Sequence, residues 1–471
     1  MKYVILGGVA AGTKAAAKLK RLDRQAEVLI FTKGADISYA GCGLPYYIGG
    51  DIASREELIV NSPEKYAGLT GAKVQIGCEA IGVESGRKEV SIRRTDGSVF
   101  VETYDKLIIA TGAAPFVPPV EGVGLAGAFC VRTPDDAVAI REYAEINRCR
   151  KAVVCGAGFI GLEVAENLAA MNMEVTVIDA AAQIMPNAFD EDMAGYAKRQ
   201  LKASGMRVLT SVSLKGINGK DHVESVDTDS GILQADIVIL AIGVRPATAF
   251  LKDSGIEMFK GTVIVDENMQ TNIPDIYAVG DCAMVKNAIT DKPQWSAMGS
   301  TANLAARAMA KKLYDQGAGY GGCLGTGVVR LLPTLNGGRT GLTQEQAKTA
   351  GIDATSVVCI LDDKAHYYPG ASSFIIKLTA ETASRRILGI QVLGAGAVDK
   401  MVDIAVTGIY KGMKLDEFDT MDFAYAPPFS TAIHPFVTAC YILENKLDGV
   451  INSMSPSEYA SGAAKEYTVL D

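Results

Sequence analysis

The chain has 471 residues, a length that allows roughly three domains. Its formal net charge of −8 argues against nucleic acid or an anionic membrane as the main partner. No apolar run approaches the roughly 20 residues of a membrane span, and nine cysteines without framework spacing predict reduced thiols in a cytoplasmic protein. No cysteine lies at metal-ligand spacing from any of the three histidines, so we expect no metal site.

The N-terminal residues predict a βαβ unit. An apolar strand from Lys2 to Leu6 enters the glycine turn Gly7-Gly8-Val9-Ala10-Ala11-Gly12, and a helix follows to Leu22 before a second strand, Val28–Phe31. Backbone N–H groups and the helix dipole at such a turn favour a bound pyrophosphate.

Two positions weaken the match of this turn to the dinucleotide-binding pattern. Val9 occupies the second glycine position, and Thr32 stands where an acidic residue would contact the ribose. Taken alone, the turn is equally well explained as a tight connection between a strand and a helix. The buried strand that ends in Ala110-Thr111-Gly112 and the strand end at Gly280-Asp281 favour the nucleotide site.

Cys42 stands alone in a segment rich in glycine and aromatic residues, Ile37 to Gly50. A dithiol motif would place a second cysteine three or five residues away, but the next one is Cys78. A lone redox thiol forms its disulfide or persulfide with an external sulfur. We expect Gly43 to open a helix whose dipole favours the thiolate, and the other eight cysteines to be small buried hydrophobes.

The same pattern returns in the middle of the chain and predicts a second nucleotide-binding fold. Strand Ala152–Cys155 enters Gly156-Ala157-Gly158-Phe159-Ile160-Gly161, and a helix to Asn172 precedes strand Val175–Ile178. Asp179 at that strand end would accept from ribose hydroxyls and repel a 2′-phosphate. The fold therefore favours NADH, with NADPH still possible.

The rest of the chain predicts a return to the first fold and then a separate domain. Strand Ile237–Ile242 leads to Gly243, and strand Ile276–Val279 leads to Asp281, whose carboxylate would accept from a ribityl hydroxyl. From Gly327 onward strand-like runs alternate with helical stretches, which predicts an α+β domain. The runs are Ser356–Leu361, Phe374–Leu378 and Ile387–Leu393.

These features together resemble the FAD-dependent pyridine nucleotide-disulfide oxidoreductases over essentially the whole chain. The Cys42 segment is similar to the single-cysteine subgroup, which contains coenzyme A-disulfide reductases, persulfide and polysulfide reductases, and NADH oxidases and peroxidases. Two C-terminal motifs resemble the coenzyme A-disulfide reductase branch: Ala424-Tyr425-Ala426-Pro427-Pro428-Phe429-Ser430 and Tyr367-Tyr368-Pro369-Gly370.

The resemblance implies an α/β fold class with two Rossmann-like dinucleotide-binding domains, for FAD and NAD, and a C-terminal α+β dimerisation domain. The expected FAD-binding domain is discontinuous (1–115 and 248–325), the NAD(P)H-binding domain spans 116–247, and the dimerisation domain spans 326–471. In a homodimer, Tyr425 and Tyr367 of one subunit would donate hydrogen bonds to the sulfur at Cys42 of the other. Buried interface aromatics are the alternative interpretation of both tyrosines.

The resemblance also assigns cofactor contacts to the glycine turns and strand ends. The residues expected to contact FAD are Gly7, Gly8, Ala10, Ala11, Gly12, Thr32, Lys33, Ala110, Thr111, Gly112 and Asp281. The residues expected to contact NAD are Gly156, Gly158, Phe159, Ile160, Gly161, Asp179 and Gly243.

The implied activity is NAD(P)H-dependent reduction of a small-molecule disulfide, persulfide or polysulfide. NADH would pass hydride to the flavin, the flavin would reduce oxidised Cys42, and the thiolate would attack the external sulfur. The residues that match substrate positions are Ser38, Arg21, Asn303 and Arg307, and the two cations suit coenzyme A phosphates. Solvated helix faces explain both arginines equally well.

Two observations count against coenzyme A. Gly41 replaces the Asn that often precedes the cysteine, and Ala67-Gly68-Leu69 is apolar where relatives tend to carry basic residues. A smaller persulfide or polysulfide therefore stays open as the acceptor.

The main alternative function is an NADH oxidase or peroxidase, but Ala10 and Ala11 stand where those relatives place a histidine. An electron-transfer reductase that does not need Cys42 and a redox-sensing flavoprotein are further alternatives. His434, in Ile433-His434-Pro435, resembles the His-Pro of dithiol reductases. We expect a surface or interface residue there, with protonation of a leaving thiolate as the alternative.

Overall fold

The structure is a computed structural model that describes residues 1–468, and the chain folds into two compact units. The first unit comprises Met1–Val117, Cys130–Tyr143 and Gly243–Cys323. The second comprises Pro118–Phe129, Ala144–Ile242 and the chain from Leu324 onward. The three domain ranges expected from the sequence stay a prediction, since this division yields two units.

The first stretch of chain builds most of the first unit. Its elements are β1 Lys2–Leu6, α1 Ala10–Leu22, β2 Glu27–Phe31, α2 Leu44–Gly49, α3 Pro63–Thr70, β3 Lys73–Gln75, β4 Cys78–Glu84, β5 Glu89–Arg94, β6 Val99–Thr103, β7 Lys106–Ile109 and β8 Ala113–Pro115. Strands β7, β1, β2 and β3 are parallel neighbours, whereas β4, β5 and β6 form an antiparallel meander. Residues Tyr3 to Leu6 are buried on both faces of the sheet, which explains why β1 is continuously apolar.

The second stretch begins the second unit and repeats this parallel arrangement. Its elements are β9 Ala128–Phe129, α4 Pro134–Ile146, β10 Lys151–Cys155, α5 Phe159–Ala170, β11 Glu174–Asp179, α6 Glu191–Ala203, β12 Arg207–Thr210, β13 Leu214–Asn218, β14 Ser225–Thr228, β15 Gly231–Gln234 and β16 Ile237–Leu240. The order β12-β11-β10-β16-β9 is parallel throughout, and β13, β14 and β15 form a second meander. The first residues of α4, Pro134 to Tyr143, belong to the first unit.

The third stretch returns to the first unit. Its elements are β17 Val244–Pro246, β18 Met258–Phe259, β19 Thr262–Ile264, β20 Ile276–Ala278, β21 Ala283–Lys286, β22 Pro293–Trp295 and α7 Gly299–Lys312. Strand β20 pairs with β7 and completes the five-stranded order β20-β7-β1-β2-β3. Helix α7 packs against α1 through a shared apolar core.

The last stretch forms an antiparallel sheet with helices. Its elements are β23 Gly327–Leu332, β24 Leu335–Gly341, α8 Gln344–Thr349, β25 Ala354–Asp362, β26 Ser373–Glu381, β27 Ile387–Gly394, α9 Val398–Lys411, α10 Pro435–Leu447 and α11 Pro456–Ala460. The order is β23-β24-β27-β26-β25, with α9 packed on β24 and β27, and α10 on β25. The predicted α+β region and its three strands are confirmed.

Two parallel nucleotide-binding sheets and a C-terminal antiparallel sheet confirm the predicted fold class. Among residues 1–468, none of the helices combines the length and the apolar character that crossing a membrane requires.

Candidate active site

Cys42 lies in a single 3-10 turn, Gly41–Gly43, that leads directly into α2. Gly43 is the N-cap of this helix, as predicted, and the helix is six residues long. Of the nine cysteines, all of them within the described residues, Cys42 alone is exposed, whereas Cys130 is half-buried and the rest are buried. Burial raises the pKa of Cys155 and of Cys359 to about 12, which keeps both as thiols at neutral pH. Cys42 is therefore the cysteine that a dissolved sulfur compound can reach.

Backbone hydrogen bonds connect the segment around Cys42 to the first glycine turn. The N–H of Ser38 donates to the carbonyl of Gly8 at 2.9 Å, and the N–H of Ala40 donates to the carbonyl of Leu58 at 2.8 Å. Ser38 has φ of +49°, a backbone conformation that a non-glycine residue adopts only where its surroundings hold it. Ser38, a predicted substrate residue, thus lies directly beside the predicted FAD turn.

The predicted FAD residues gather at one edge of the parallel sheet. Leu6 of β1 is opposite Phe31 of β2 and Ile109 of β7, and Ile109 is opposite Ala278 of β20. The glycine turn, Thr32, the Ala110-Thr111-Gly112 turn and Asp281 therefore all follow the carboxyl ends of neighbouring strands. This edge, where the strand order changes direction at β1, is the usual ligand site of an open parallel sheet.

The first glycine turn has the close packing that a dinucleotide site needs. A Cβ at Gly7, whose φ is +112°, would lie 2.1 Å from the carbonyl oxygen of Ala110, and a Cβ at Gly12 would lie 1.9 Å from the carbonyl oxygen of Gly7. Only glycine fits at both positions, so α1 begins tightly against the sheet edge. These residues fit the pyrophosphate of FAD despite Val9 in the second glycine position. Lys33, also predicted to contact FAD, pairs with Glu79 at 3.0 Å on the surface, and its contact with FAD stays a prediction.

Arg132 joins this edge and was not identified from the sequence. Its Nη2 atom lies 3.3 Å from Oδ2 of Asp281, although the two residues are 149 positions apart. The backbone carbonyl of Asp281 also accepts a hydrogen bond from the indole of Trp295 at 2.8 Å. The Asp281 turn is therefore held from two sides, and no local sequence signal marks Arg132 because its partner is brought close only by the fold.

The second glycine turn repeats the packing in the second unit. A Cβ at Gly156 would lie 2.3 Å from the carbonyl oxygen of Ala241, and a Cβ at Gly161 would lie 1.9 Å from the carbonyl oxygen of Gly156. In contrast, Gly158 has no atom within 4 Å of the position of a Cβ, which leaves space at the start of α5 for a phosphate. Phe159 and Ile160 form the first residues of that helix, and Gly243 follows β16 with φ of +117°.

Asp179 is fastened to the second glycine turn. One carboxylate oxygen accepts from the N–H of Ala157 at 2.7 Å, and the other accepts from the N–H of Ala181 at 2.8 Å. Each oxygen keeps a second lone pair, so the carboxylate can still accept from ribose hydroxyls. The arrangement fixes a negative charge beside the turn, which suits a ribose without a 2′-phosphate.

Tyr367 and Tyr425 come together in the second unit although they are distant in sequence. A hydrogen bond to Tyr425 raises the pKa of the Tyr367 phenol. Their exposed fractions are 66% and 48%, so neither ring is buried within its own chain, and burial at an interface stays the alternative prediction. Phe429 and Ile433 are also exposed.

The predicted substrate residues Arg21, Asn303 and Arg307 lie on α1 and α7, which pack together. The pKa of Lys18 is lowered, mainly by desolvation and to a smaller extent by repulsion from Arg307, Lys311 and Arg21. These four cations, Lys18, Arg21, Arg307 and Lys311, form what we call the basic cluster. No signal in the sequence marks the two lysines, which become candidates only because α1 packs against α7.

His434 is buried, with 4% of its surface exposed, so its interpretation as a surface residue is wrong, and a place at a subunit interface stays a prediction. Its Nδ1 accepts from the N–H of Phe436 at 3.2 Å, which makes it the N-cap of α10. Burial, with a contribution from the charge of Lys400, lowers its pKa to about 4. The imidazole is neutral at pH 7, which does not favour protonation of a leaving thiolate.

Comparison with known proteins connects these features to one family. Residues 1–309 match the pyridine nucleotide-disulphide oxidoreductase family, and residues 333–436 match its dimerisation domain. The chain is 35% identical to an "NADH oxidase" of Methanocaldococcus jannaschii, over 93% of this chain and 98% of that protein. It is also 35% identical to an "NAD(P)H sulfur oxidoreductase (CoA-dependent)" of Pyrococcus abyssi, over 94% and 98%.

A solved structure shows the same relationship. The NAD-dependent persulfide reductase from A. fulgidus is similar with a TM-score of 0.93 and 34% identity, over 96% of this chain and 85% of that chain. The chain therefore belongs to the pyridine nucleotide-disulphide oxidoreductase family, whose cofactors are FAD and NAD(P)H.

Proposed function

We propose that this protein is an FAD-dependent NAD(P)H oxidoreductase that reduces a small disulfide, persulfide or polysulfide through Cys42. One observation carries the proposal. The one exposed cysteine lies in a segment that is hydrogen-bonded, through Ser38 and Gly8, to the glycine turn that fits FAD. A thiol held beside a flavin site and open to solvent has the two contacts that electron transfer to an external sulfur requires.

The chain's own residues define what Cys42 does in this reaction. Sulfur exchange needs the thiolate, and the dipole of α2, which begins two residues later, favours an anion at its N-terminal end. Bound FAD would relay electrons from the nicotinamide to oxidised Cys42. Because seven other cysteines are buried and Cys130 is half-buried, the sulfur that pairs with Cys42 comes from the substrate.

The proposal includes a homodimer. Tyr367 and Tyr425 interact with each other and are both exposed, and exposed Phe429 and Ile433 add apolar surface near Tyr425 in the sequence. Such surface supports burial against a second copy, as does the match to the dimerisation domain. In the dimer the two phenols would donate to the sulfur at Cys42 of the other subunit.

The basic cluster supports a coenzyme A-linked acceptor. Four cations on α1 and α7, three of which lower the pKa of the fourth, Lys18, favour a ligand with several phosphates. The Pyrococcus abyssi relative is named as CoA-dependent, which agrees with a coenzyme A-linked acceptor. Gly41 and the apolar Ala67-Gly68-Leu69 stretch still leave a smaller persulfide or polysulfide as the competing acceptor.

The proposed nucleotide is NADH, because Asp179 holds a negative charge at the ribose position. A cytoplasmic location is part of the same proposal, supported by an exposed thiol and by nine cysteines without a disulfide among them.

An NADH oxidase is the second candidate, and the name of the Methanocaldococcus jannaschii relative favours it. Ala10 and Ala11 occupy the first glycine turn where the oxidase pattern has a histidine, so this chain offers no proton donor from that turn. The sulfur acceptor therefore remains the first choice.

The deciding experiment compares coenzyme A disulfide, coenzyme A persulfide, polysulfide and oxygen as acceptors for NADH, in the wild type and in Cys42→Ser. We expect the variant to lose sulfur turnover while NADH still reduces the flavin. The matched control is Cys130→Ser, which should keep turnover. Sulfur turnover that survives Cys42→Ser, or an oxygen rate far above all sulfur rates, would contradict the proposal.

A further inference from the structure

Arg55 connects both ends of the Cys42 segment to α4. Asp36 lies just before the segment and Arg55 shortly after it. The Arg55 Nη2 atom lies 2.6 Å from the Asp36 carboxylate and 2.7 Å from the Asp135 carboxylate, and its Nε donates to Asp135 at 3.2 Å. One guanidinium therefore holds the segment closed and attaches it to the first turn of α4.

Arg141, further along α4, binds the end of the helix that follows Cys42. Its Nη1 donates to the carbonyl oxygens of Tyr47 and Ala53, each at 3.3 Å. The guanidinium also lies over the buried Tyr47 ring, 5.1 Å from its centroid. Tyr47 is in the last turn of α2, where carbonyl groups lack helical partners and a cation is favourable.

The start of α4 also contacts the Asp281 side of the FAD edge. The Asp136 carboxylate accepts from the N–H groups of Arg132 and Thr133, at 3.0 and 2.8 Å. The Arg132 side chain then contacts Asp281 at 3.3 Å. Helix α4 therefore contacts two parts of the site. Asp136 reaches the Asp281 turn through Arg132, whereas Asp135 and Arg141 hold the Cys42 segment.

We propose that Arg55 and Arg141 are positioning residues that set the place of Cys42 by holding its segment on α4. Arg55 would act through the Asp36 and Asp135 carboxylates, and Arg141 through backbone carbonyls at the end of α2 and just beyond it. The strained φ of Ser38 needs such external support. The proposal rests on the proposed function, because it assigns a reaction step to Cys42.

The physical reason is that sulfur exchange and electron transfer depend steeply on geometry. A shift of the nucleophile of about 1 Å is enough to slow a reaction about a hundredfold. Without the two guanidinium groups, α2 is left as a six-residue helix held mainly by its buried apolar side chains, Leu44, Pro45, Tyr47 and Ile48.

The test uses the FAD-loaded protein with Arg55→Gln, Arg141→Gln and the double variant. The matched control is Arg93→Gln, which removes a surface ion pair with Glu79 elsewhere in the first unit. In the double variant we expect unchanged flavin reduction by NADH but sulfur turnover lowered about tenfold or more. The long-wavelength absorbance that arises when a thiolate contacts oxidised flavin should weaken, and amide exchange across Leu44–Gly49 should quicken about tenfold.

Two further variants keep the result interpretable. Asp135→Ala changes a side chain that is 74% exposed and removes only the link between Arg55 and α4, so it tests the idea if the arginine variants do not fold. Arg141→Lys should recover part of the absorbance by restoring the charge. Unchanged absorbance and exchange in the double variant, or equal losses in Arg93→Gln, would overturn the proposal. A failure of the proposed function would be recognised by a different result, because sulfur turnover would then be as high in Cys42→Ser as in the wild type.

Discussion

The ammonium of Lys377 holds two carboxylates inside the second unit. Its Nζ lies 2.9 Å from Asp192 and 3.2 Å from Asp190, and the exposed side-chain fractions are 2%, 1% and 9% in that order. Asp190 also accepts from the Gln391 amide at 2.7 Å and from the Gln344 N–H at 3.1 Å. The cluster joins α6 to β26 and β27, so its loss should weaken the contact between the nucleotide sheet and the antiparallel sheet.

Lys377→Met removes one partner and leaves two carboxylates buried without a counter-charge. Breaking a buried ion pair in this way costs about 3 to 5 kcal/mol. At about 2 to 4 °C per kcal/mol for a unit of this size, the thermal midpoint should fall by roughly 6 to 20 °C.

The loss should depend on pH in a defined direction. In the wild type, burial raises the pKa of Asp190, but Lys377 and the hydrogen bonds outweigh burial, and the net pKa is lowered. That carboxylate therefore contributes stability above its unfolded pKa of about 3.9, which is lost as the pH falls through the lower folded value. Without Lys377 the burial effect dominates and the folded pKa rises above the unfolded one. The variant's deficit should then be largest at pH 7 and shrink as the pH approaches 4.

Thermal and urea unfolding of wild type and Lys377→Met at pH 7 and at pH 4.5 measure this difference. Lys286→Met is the matched control, because its partner Asp291 is exposed and a surface pair is worth about 1 kcal/mol or less. Adding Asp192→Asn to Lys377→Met should recover part of the loss. A deficit below about 1 kcal/mol at pH 7, or one that stays constant with pH, would refute the reasoning.

Three further predictions concern the site. Gly12→Ala should abolish FAD retention, since its Cβ would lie 1.9 Å from the Gly7 carbonyl, whereas Gly68→Ala, in open space, should retain flavin absorbance. Arg307→Gln should raise the KM for coenzyme A disulfide about fivefold with kcat unchanged and leave polysulfide kinetics alone; equal effects on both would exclude a phosphate contact. Asp179→Asn should lower the preference for NADH over NADPH about tenfold in kcat/KM, and an unchanged ratio would remove Asp179 from nucleotide selection.

Local sequence patterns predicted the nucleotide-binding elements well. Apolar runs ending in Gly7 and Gly156 predicted strands, turns and helices, because a glycine with positive φ and a following helix are specified within a few residues. The absence of a second cysteine near Cys42 and the N-cap role of Gly43 were also predictable from neighbouring residues in the sequence. The burial of His434 was not predicted, because burial depends on Phe423 and on the start of α10, which only packing brings to it.

The sequence by itself determined the two glycine turns, the single cysteine and the C-terminal tyrosine motifs. Only the tertiary structure decided which of these residues meet: Arg132 with Asp281, Lys18 with Arg307, Tyr367 with Tyr425, and Arg55 and Arg141 with the flanks of Cys42. The physical reason is packing between distant stretches of chain: α1 packs against α7, and the strand order β20-β7-β1-β2-β3 places the ends of distant strands at one edge. Contacts across such an edge follow from the order in which strands pair, and residue spacing along the chain carries no record of that order.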